Sequence, residues 1–152
     1  MFKNSGNIAE VKAVYQSKVK ASDRPKIITS HNAYHIVKDL FNHDTIEYRE
    51  EFIVLMLNRA NRVIGWVKLS DGGTCGTVVD PKICFTLALQ CNASSLILAH
   101  NHPSCNEKPS NEDVRLTKKI KDAELLLEIS LMDHIIVCPD NKYFSFADEG
   151  MI

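Results

Sequence analysis

An α/β fold, with helices packed against a central sheet, is the class this sequence predicts, and three observations carry the prediction. Phe52-Ile53-Val54-Leu55-Met56-Leu57 and Leu96-Ile97-Leu98-Ala99 are unbroken apolar runs, as expected of strands buried on both faces. Apolar residues recur at helical spacing through Ala33, Ile36, Val37, Leu40 and Phe41, and again through Leu116, Ile120, Ala123 and Leu127. Strand and helix patterns are interspersed along the chain, which favours one sheet covered by helices.

The elements follow in order. Val11 to Val19 is expected to be a strand, although Val11, Ala13 and Tyr15 alternate only imperfectly with polar residues. Ser30 is the expected N-cap of the first helix. After the Phe52–Leu57 strand, Asn58 to Asn61 makes a turn into a second strand, Arg62 to Leu69, giving a hairpin. Asp71-Gly72-Gly73 breaks the pattern, and a loop runs to Asp80. Asp80-Pro81 reads as an N-cap with proline at the first helical position, and the helix continues through Ile83, Cys84, Leu87, Ala88 and Cys91. The strand at Leu96 delivers His100 and His102 at or just beyond its C-terminal end. A helix starts at Ser110, and the chain closes with an apolar strand from His134 to Cys138, a turn at Pro139-Asp140-Asn141, and Tyr143 to Phe146. In open α/β sheets, ligands bind beyond strand C-termini, where the histidines fall.

Bulk properties narrow the function. The 152 residues suffice for one domain with a real core, and 45% apolar with 24% charged residues is a globular composition. Net charge is −1 with no long basic run, so DNA association is not supported by charge. Short basic groups, Lys18, Lys20, Arg24 and Lys26, and Lys118, Lys119 and Lys121, read as solvated faces. Cys75, Cys84, Cys91, Cys105 and Cys138 are odd in number and lack CxxC spacing, which points to reduced thiols. There is no signal-peptide pattern and no apolar run of membrane-spanning length, so no membrane partner is expected and the cytoplasm is the default location.

The chemistry concentrates in His100-Asn101-His102-Pro103 and Ser110-Asn111-Glu112-Asp113. Side chains alternate along an extended backbone, so histidines two apart can point the same way. Two His and one Asp form a three-ligand set that leaves the fourth position of Zn²⁺ open, the catalytic pattern. Ser110-x-x-Asp113 has a second reading, a capping box at a helix start, which spacing alone favours. A general base is also required, and Glu50 and Glu51 both precede the apolar strand at Phe52.

Glu50, His100-x-His102 and Ser110-x-x-Asp113 together resemble the JAMM (MPN+/JAB) metalloprotease signature, in which a distant Glu precedes HxH, seven residues, Ser, two residues and Asp. Arg49-Glu50-Glu51-Phe52, Leu98-Ala99-His100-Asn101-His102-Pro103-Ser104, Pro109-Ser110-Asn111-Glu112-Asp113 and Leu131-Met132-Asp133-His134 resemble the RadC-like branch. The resemblance implies a cytidine-deaminase-like JAB/MPN fold over residues 25–152, preceded by an N-terminal strand or extension over residues 1–24. It further implies that His100, His102 and Asp113 bind zinc, that Glu50 is the general base, and that Ser110 hydrogen-bonds the developing oxyanion. The implied reaction is hydrolysis of a peptide or isopeptide bond in a peptide or protein substrate through a metal-activated water. Asp133 and His134 are assigned a structural role or one behind the ligands. Cys105 stands where RadC relatives usually carry Gly, beside the metal loop. The helix-hairpin-helix of full-length RadC proteins has no room upstream, so a stand-alone JAB domain is expected.

Three rivals compete. HNH nucleases disperse their signature over a longer ββα-metal unit, so three adjacent letters do not make one. Zinc nucleobase deaminases need H-x-E and a later P-C-x-x-C, both absent here. A non-catalytic or DNA-repair-associated binding module of the RadC type is the remaining alternative, and near-neutral charge argues against backbone-driven DNA binding.

Overall fold

Alternate residues of the buried strands enter two separate cores, one on each face of a five-stranded sheet. The computed structural model describes residues 9, 11–72 and 79–152. Its elements are α1 (Ser30–Lys38), β1 (Glu51–Leu57), β2 (Val63–Asp71), α2 (Pro81–Gln90), β3 (Ser95–Asn101), α3 (Asn111–Leu127), β4 (Ser130–Val137) and β5 (Tyr143–Ser145). The sheet order is β2-β1-β3-β4-β5. Only β3 and β4 run parallel, joined by the α3 crossover, and the other pairs are antiparallel.

All seven residues of β1 and all seven of β3 are buried, as the continuous apolar runs require. Ile53, Leu55 and Leu57 meet Ile97, Ala99, Ile135 and Val137 under α1, which contributes Ala33, Tyr34 and Val37. Phe52, Val54 and Met56 meet Leu96 and Leu98 under α2 and α3, which contribute Cys84, Phe85, Ala88 and Ile120. At about 25 cal/mol per Å² of apolar area removed from water, these two layers dominate the stability of the fold. The functional consequence is parity: even-numbered positions on β1 and β3 face α3, and odd-numbered positions face α1.

The hairpin forms as expected. Asn58 Oδ1 accepts from the amides of Ala60 and Arg62, and Asn61 adopts a left-handed φ of 56°, which Asn tolerates. Asp80 caps α2 through the Lys82 amide, with Pro81 next. Two expectations are corrected. The residue capping α1 is Thr29, not Ser30: its hydroxyl accepts from the Asn32 amide, and Asn32 returns a bond to the Thr29 amide. Val11–Val19 forms no strand. It lies largely exposed, held by the Tyr15 hydroxyl donating to the Ile64 carbonyl and by Gln90 Nε2 donating to the Val14 carbonyl. Its imperfect alternation offers no continuous apolar face to bury. Of the cysteines, Cys84, Cys91, Cys105 and Cys138 are free thiols, and Cys75 falls outside the described residues, as does most of the loop before Asp80.

Candidate metal centre

β3 carries His100 on its α3-facing side, fully buried and stacked on Phe52, its partner across the β1 pairing, with ring centroids 5.8 Å apart. The strand ends at Asn101. His102 sits one step beyond, its amide still donating to the Val137 carbonyl of β4, so the strand geometry persists and both imidazoles point toward α3. There the first turn of α3 brings in Asp113.

His100 Nε2 and His102 Nε2 are 3.0 Å apart, Asp113 Oδ1 is 3.2 Å from the first, and Asp113 Oδ2 is 3.6 Å from the second. Zinc bonds of about 2.0–2.1 Å at tetrahedral angles place ligand atoms roughly 3.3 Å apart, so this spacing fits the edges of such a coordination shell. Among the described residues, this is the group of His, Cys, Asp and Glu side chains close enough to hold one ion, with ligand atoms all within 4.8 Å of one another. The donor chemistry agrees. His102 Nδ1 lies 2.6 Å from the Asn106 carbonyl, which can only accept, so the proton sits on Nδ1 and Nε2 presents a lone pair.

The cap at Asp113 leaves one carboxylate oxygen free to face the histidines. Its Oδ2 accepts from the Ser110 amide at 2.7 Å, while the Ser110 hydroxyl accepts from the Asp113 amide at 3.1 Å. Oδ1 is left facing His100. Ser110 is exposed, and the cap uses a lone pair of its hydroxyl, leaving the O–H to donate. Burial pushes the Asp113 carboxyl up, but the adjoining His100 and His102 imidazoles, with Ser110, hold it well below the usual carboxylate range. Burial likewise opposes protonation of His102, yet Asp113 and the Asn106 carbonyl raise its pKa overall, with a smaller contribution from Glu50.

Glu51 and Glu50 meet different surroundings. Glu51 is buried on the α1 side, where Oε2 meets Lys68 Nζ at 2.9 Å and accepts from the Asn42 amide. Glu50, half-buried just before β1, contributes its charge to His102. Asn101 is a residue beside the candidate site that sequence reasoning passed over. Buried on the odd face, its Nδ2 donates to the Ile46 and Arg49 carbonyls at 2.8 Å each, and its Oδ1 accepts from the Glu51 amide at 2.7 Å. It therefore clamps the backbone on both sides of Glu50. The available signal was a polar residue between two ligands, which strand alternation must turn inward to find partners.

Cys105 is exposed with a left-handed φ of 58°, a conformation that favours glycine. It is not part of the ligand cluster. Asp133 Oδ1 accepts from the His134 and Ala147 amides and Oδ2 from the Ser145 hydroxyl, a structural role on the face away from the ligands.

Fold and site define an α/β domain with a mixed five-stranded sheet and a His₂Asp cluster suited to a metal ion. A sequence model of the RadC-like JAB domain matches residues 27–151, and the chain belongs to that family. It is similar to proteins named UPF0758 from Flavobacterium johnsoniae, 44% identical over 126 residues that cover 83% of this chain and 53% of the relative. A Porphyromonas gingivalis UPF0758 protein is 43% identical over 104 residues, covering 68% of this chain and 46% of its own length. The Geotalea uraniireducens UPF0758 protein is 37% identical over 113 residues, covering 74% and 49% respectively. The chain thus spans about half the length of the curated relatives it matches. Among the described residues, no helix is long and apolar enough to cross a membrane.

Proposed function

We propose that this domain is a zinc-dependent metallopeptidase or isopeptidase that hydrolyses a peptide or isopeptide bond in a protein substrate. The observation that carries the reading is the convergence of His100 Nε2, His102 Nε2 and Asp113 Oδ1 at tetrahedral-edge spacing beside Glu50. When bound, Zn²⁺ supplies Lewis acidity toward a carbonyl and lowers the pKa of water. His100, His102 and Asp113 hold it. Glu50 accepts the proton from the attacking water and returns it to the leaving amine, the exchange a carboxylate performs best within hydrogen-bond reach. The Ser110 hydroxyl donates to the oxyanion as charge develops.

Substrate has a place to sit. A cavity of about 270 Å³ opens beside Asp113, walled by Phe52, Val79, Pro81 and Leu116, with Glu112, Arg115 and Lys119 on α3 also lining it. Its apolar walls with side chains of both charges suit a polypeptide better than a phosphate backbone, which would need a larger and uniformly basic surface. The test is a panel of peptide and isopeptide substrates incubated with zinc-loaded wild type and Glu50→Gln. Hydrolysis by the wild type that drops roughly 10²- to 10⁴-fold in the variant is expected. Equal rates in both, or DNA affinity with a steep salt dependence that survives His100→Ala, would sink the peptidase reading.

A further inference from the structure

Behind the ligands lies a polar ring that the proposed chemistry does not touch. His134, on β4, is fully buried. Phe146 stacks on it at 4.8 Å between centroids, Phe52 meets it edge-on at 5.7 Å, and the His100 ring is 4.9 Å away. In such a cage an imidazole costs free energy unless both nitrogens are partnered. Both are. Nε2 lies 2.9 Å from His100 Nδ1, and Nδ1 lies 2.7 Å from Thr117 Oγ1. Thr117 Oγ1 is in turn 2.6 Å from the carbonyl oxygen of Asp113, one turn earlier in α3.

The proton directions follow from donor and acceptor inventories. A carbonyl only accepts, so the single Thr117 hydroxyl hydrogen goes to Asp113. Thr117 Oγ1 must then accept from His134, which places the His134 proton on Nδ1. The partners of His134 are a hydroxyl and another imidazole, with no carboxylate against the ring, and a fully buried aromatic cage offers nothing to stabilise a second proton. Its Nε2 is therefore a bare lone pair, which accepts from His100 Nδ1–H. His100 in turn presents a bare Nε2 at 3.0 Å from His102 Nε2 and 3.2 Å from Asp113 Oδ1.

We propose that His134 is a positioning residue which, with Thr117, locks His100 in the tautomer whose Nε2 lone pair is open to the metal. Resting on the metal-site reading above, the relay explains how the site is prepared before any ion arrives. It also closes on itself. It begins at the ligand on β3 and ends at the backbone of the residue that supplies the ligand on α3, so rotation of the His100 ring and displacement of the α3 N-terminus are coupled through His134.

Histidine tautomers are read directly by long-range ¹⁵N–¹H correlation spectra of uniformly labelled protein, recorded metal-free and with zinc at about pH 8, above the ordinary histidine range. His134 is expected to carry its proton on Nδ1 in both states, and His100 on Nδ1 already before zinc is added. Thr117→Val keeps the side-chain shape but removes the acceptor. It is expected to leave His134 in mixed tautomers and to weaken zinc binding roughly ten- to hundredfold, with Thr117→Ser restoring both. A metal-free wild type with His134 protonated on Nε2 overturns the proposal, as does Thr117→Val with wild-type spectra and wild-type zinc affinity. A wild type that binds no zinc overturns the metallopeptidase reading instead, and the metal-free spectra still decide the tautomers.

Discussion

Glu50 and Glu51 are adjacent in the chain yet meet different surroundings, Glu51 paired with Lys68 and Glu50 within electrostatic reach of His102, and their substitutions should fail in different ways. Glu50→Gln should retain the fold and zinc while losing hydrolysis. Glu51→Gln weakens a buried ion pair with Lys68 and should cost about 1–3 kcal/mol in urea unfolding. Asn101→Ala removes three buried hydrogen bonds around Glu50, so it should destabilise by more than about 2 kcal/mol and impair turnover beyond any change in zinc affinity. At His102 the sign of a pH effect is fixed. The ligating form is neutral, and the environment raises its pKa above the ordinary 6.5, so protons compete with zinc to higher pH than at an exposed histidine. Chelator-competition titrations should show zinc affinity climbing as pH rises through and beyond that value, and a flat profile would contradict the ligand assignment. The histidine pair was legible in the sequence because alternation is local. Asp113 was legible as a ligand only through the resemblance, because spacing alone fits a capping box equally well and only the division of labour between Oδ1 and Oδ2 shows that both can hold. For His134 a place behind the histidines was expected, but its partners were not legible, because they lie 17 and 34 residues away.

At the scale of elements, the N-terminus of α3 does two jobs. The helix dipole and the cap stabilise the Asp113 carboxylate, and the same turn sets its distance from β3. Ser110→Ala should therefore cost about 1 kcal/mol of stability, measured by urea unfolding of the metal-free protein, and should also lower zinc affinity by loosening that turn. The strongly periodic or continuously apolar segments, β1, β3, α2 and α3, were readable because burial on one face or both dictates their composition. Val11–Val19 differs from the expectation because β-branched residues alone do not make a strand unless the backbone pairs with a sheet edge, and this segment is tied to β2 and α2 by side-chain hydrogen bonds instead. The α1 cap moved by one residue because Thr29 and Ser30 are chemically equivalent as caps, and Asn32 completes the box only with Thr29.

Over the whole molecule, the sheet's two cores divide structure from function. The α1 side holds a conventional apolar core with the Glu51–Lys68 pair at its edge, while the α3 side gives way to the ligands where β1 and β3 reach the helix start. An ion there links β3 to α3 across 11 residues of sequence from His102 to Asp113, including the whole intervening loop. Zinc at a hundredfold above its Kd should stabilise the folded state by about 2.7 kcal/mol, seen as an upward shift in thermal midpoint that chelator reverses and His102→Ala lacks. The mixed topology itself was only partly legible. The strand and helix types were plain, but the β2-β1-β3-β4-β5 order depends on long-range pairing that local pattern does not encode. The most direct measurement is the zinc content of the purified protein, by elemental analysis of wild type and His102→Ala after equilibration with zinc and removal of excess. Stoichiometric zinc in the wild type and its loss in the variant is the predicted result; a wild type without stoichiometric zinc, or equal zinc in both proteins, would contradict the metal centre.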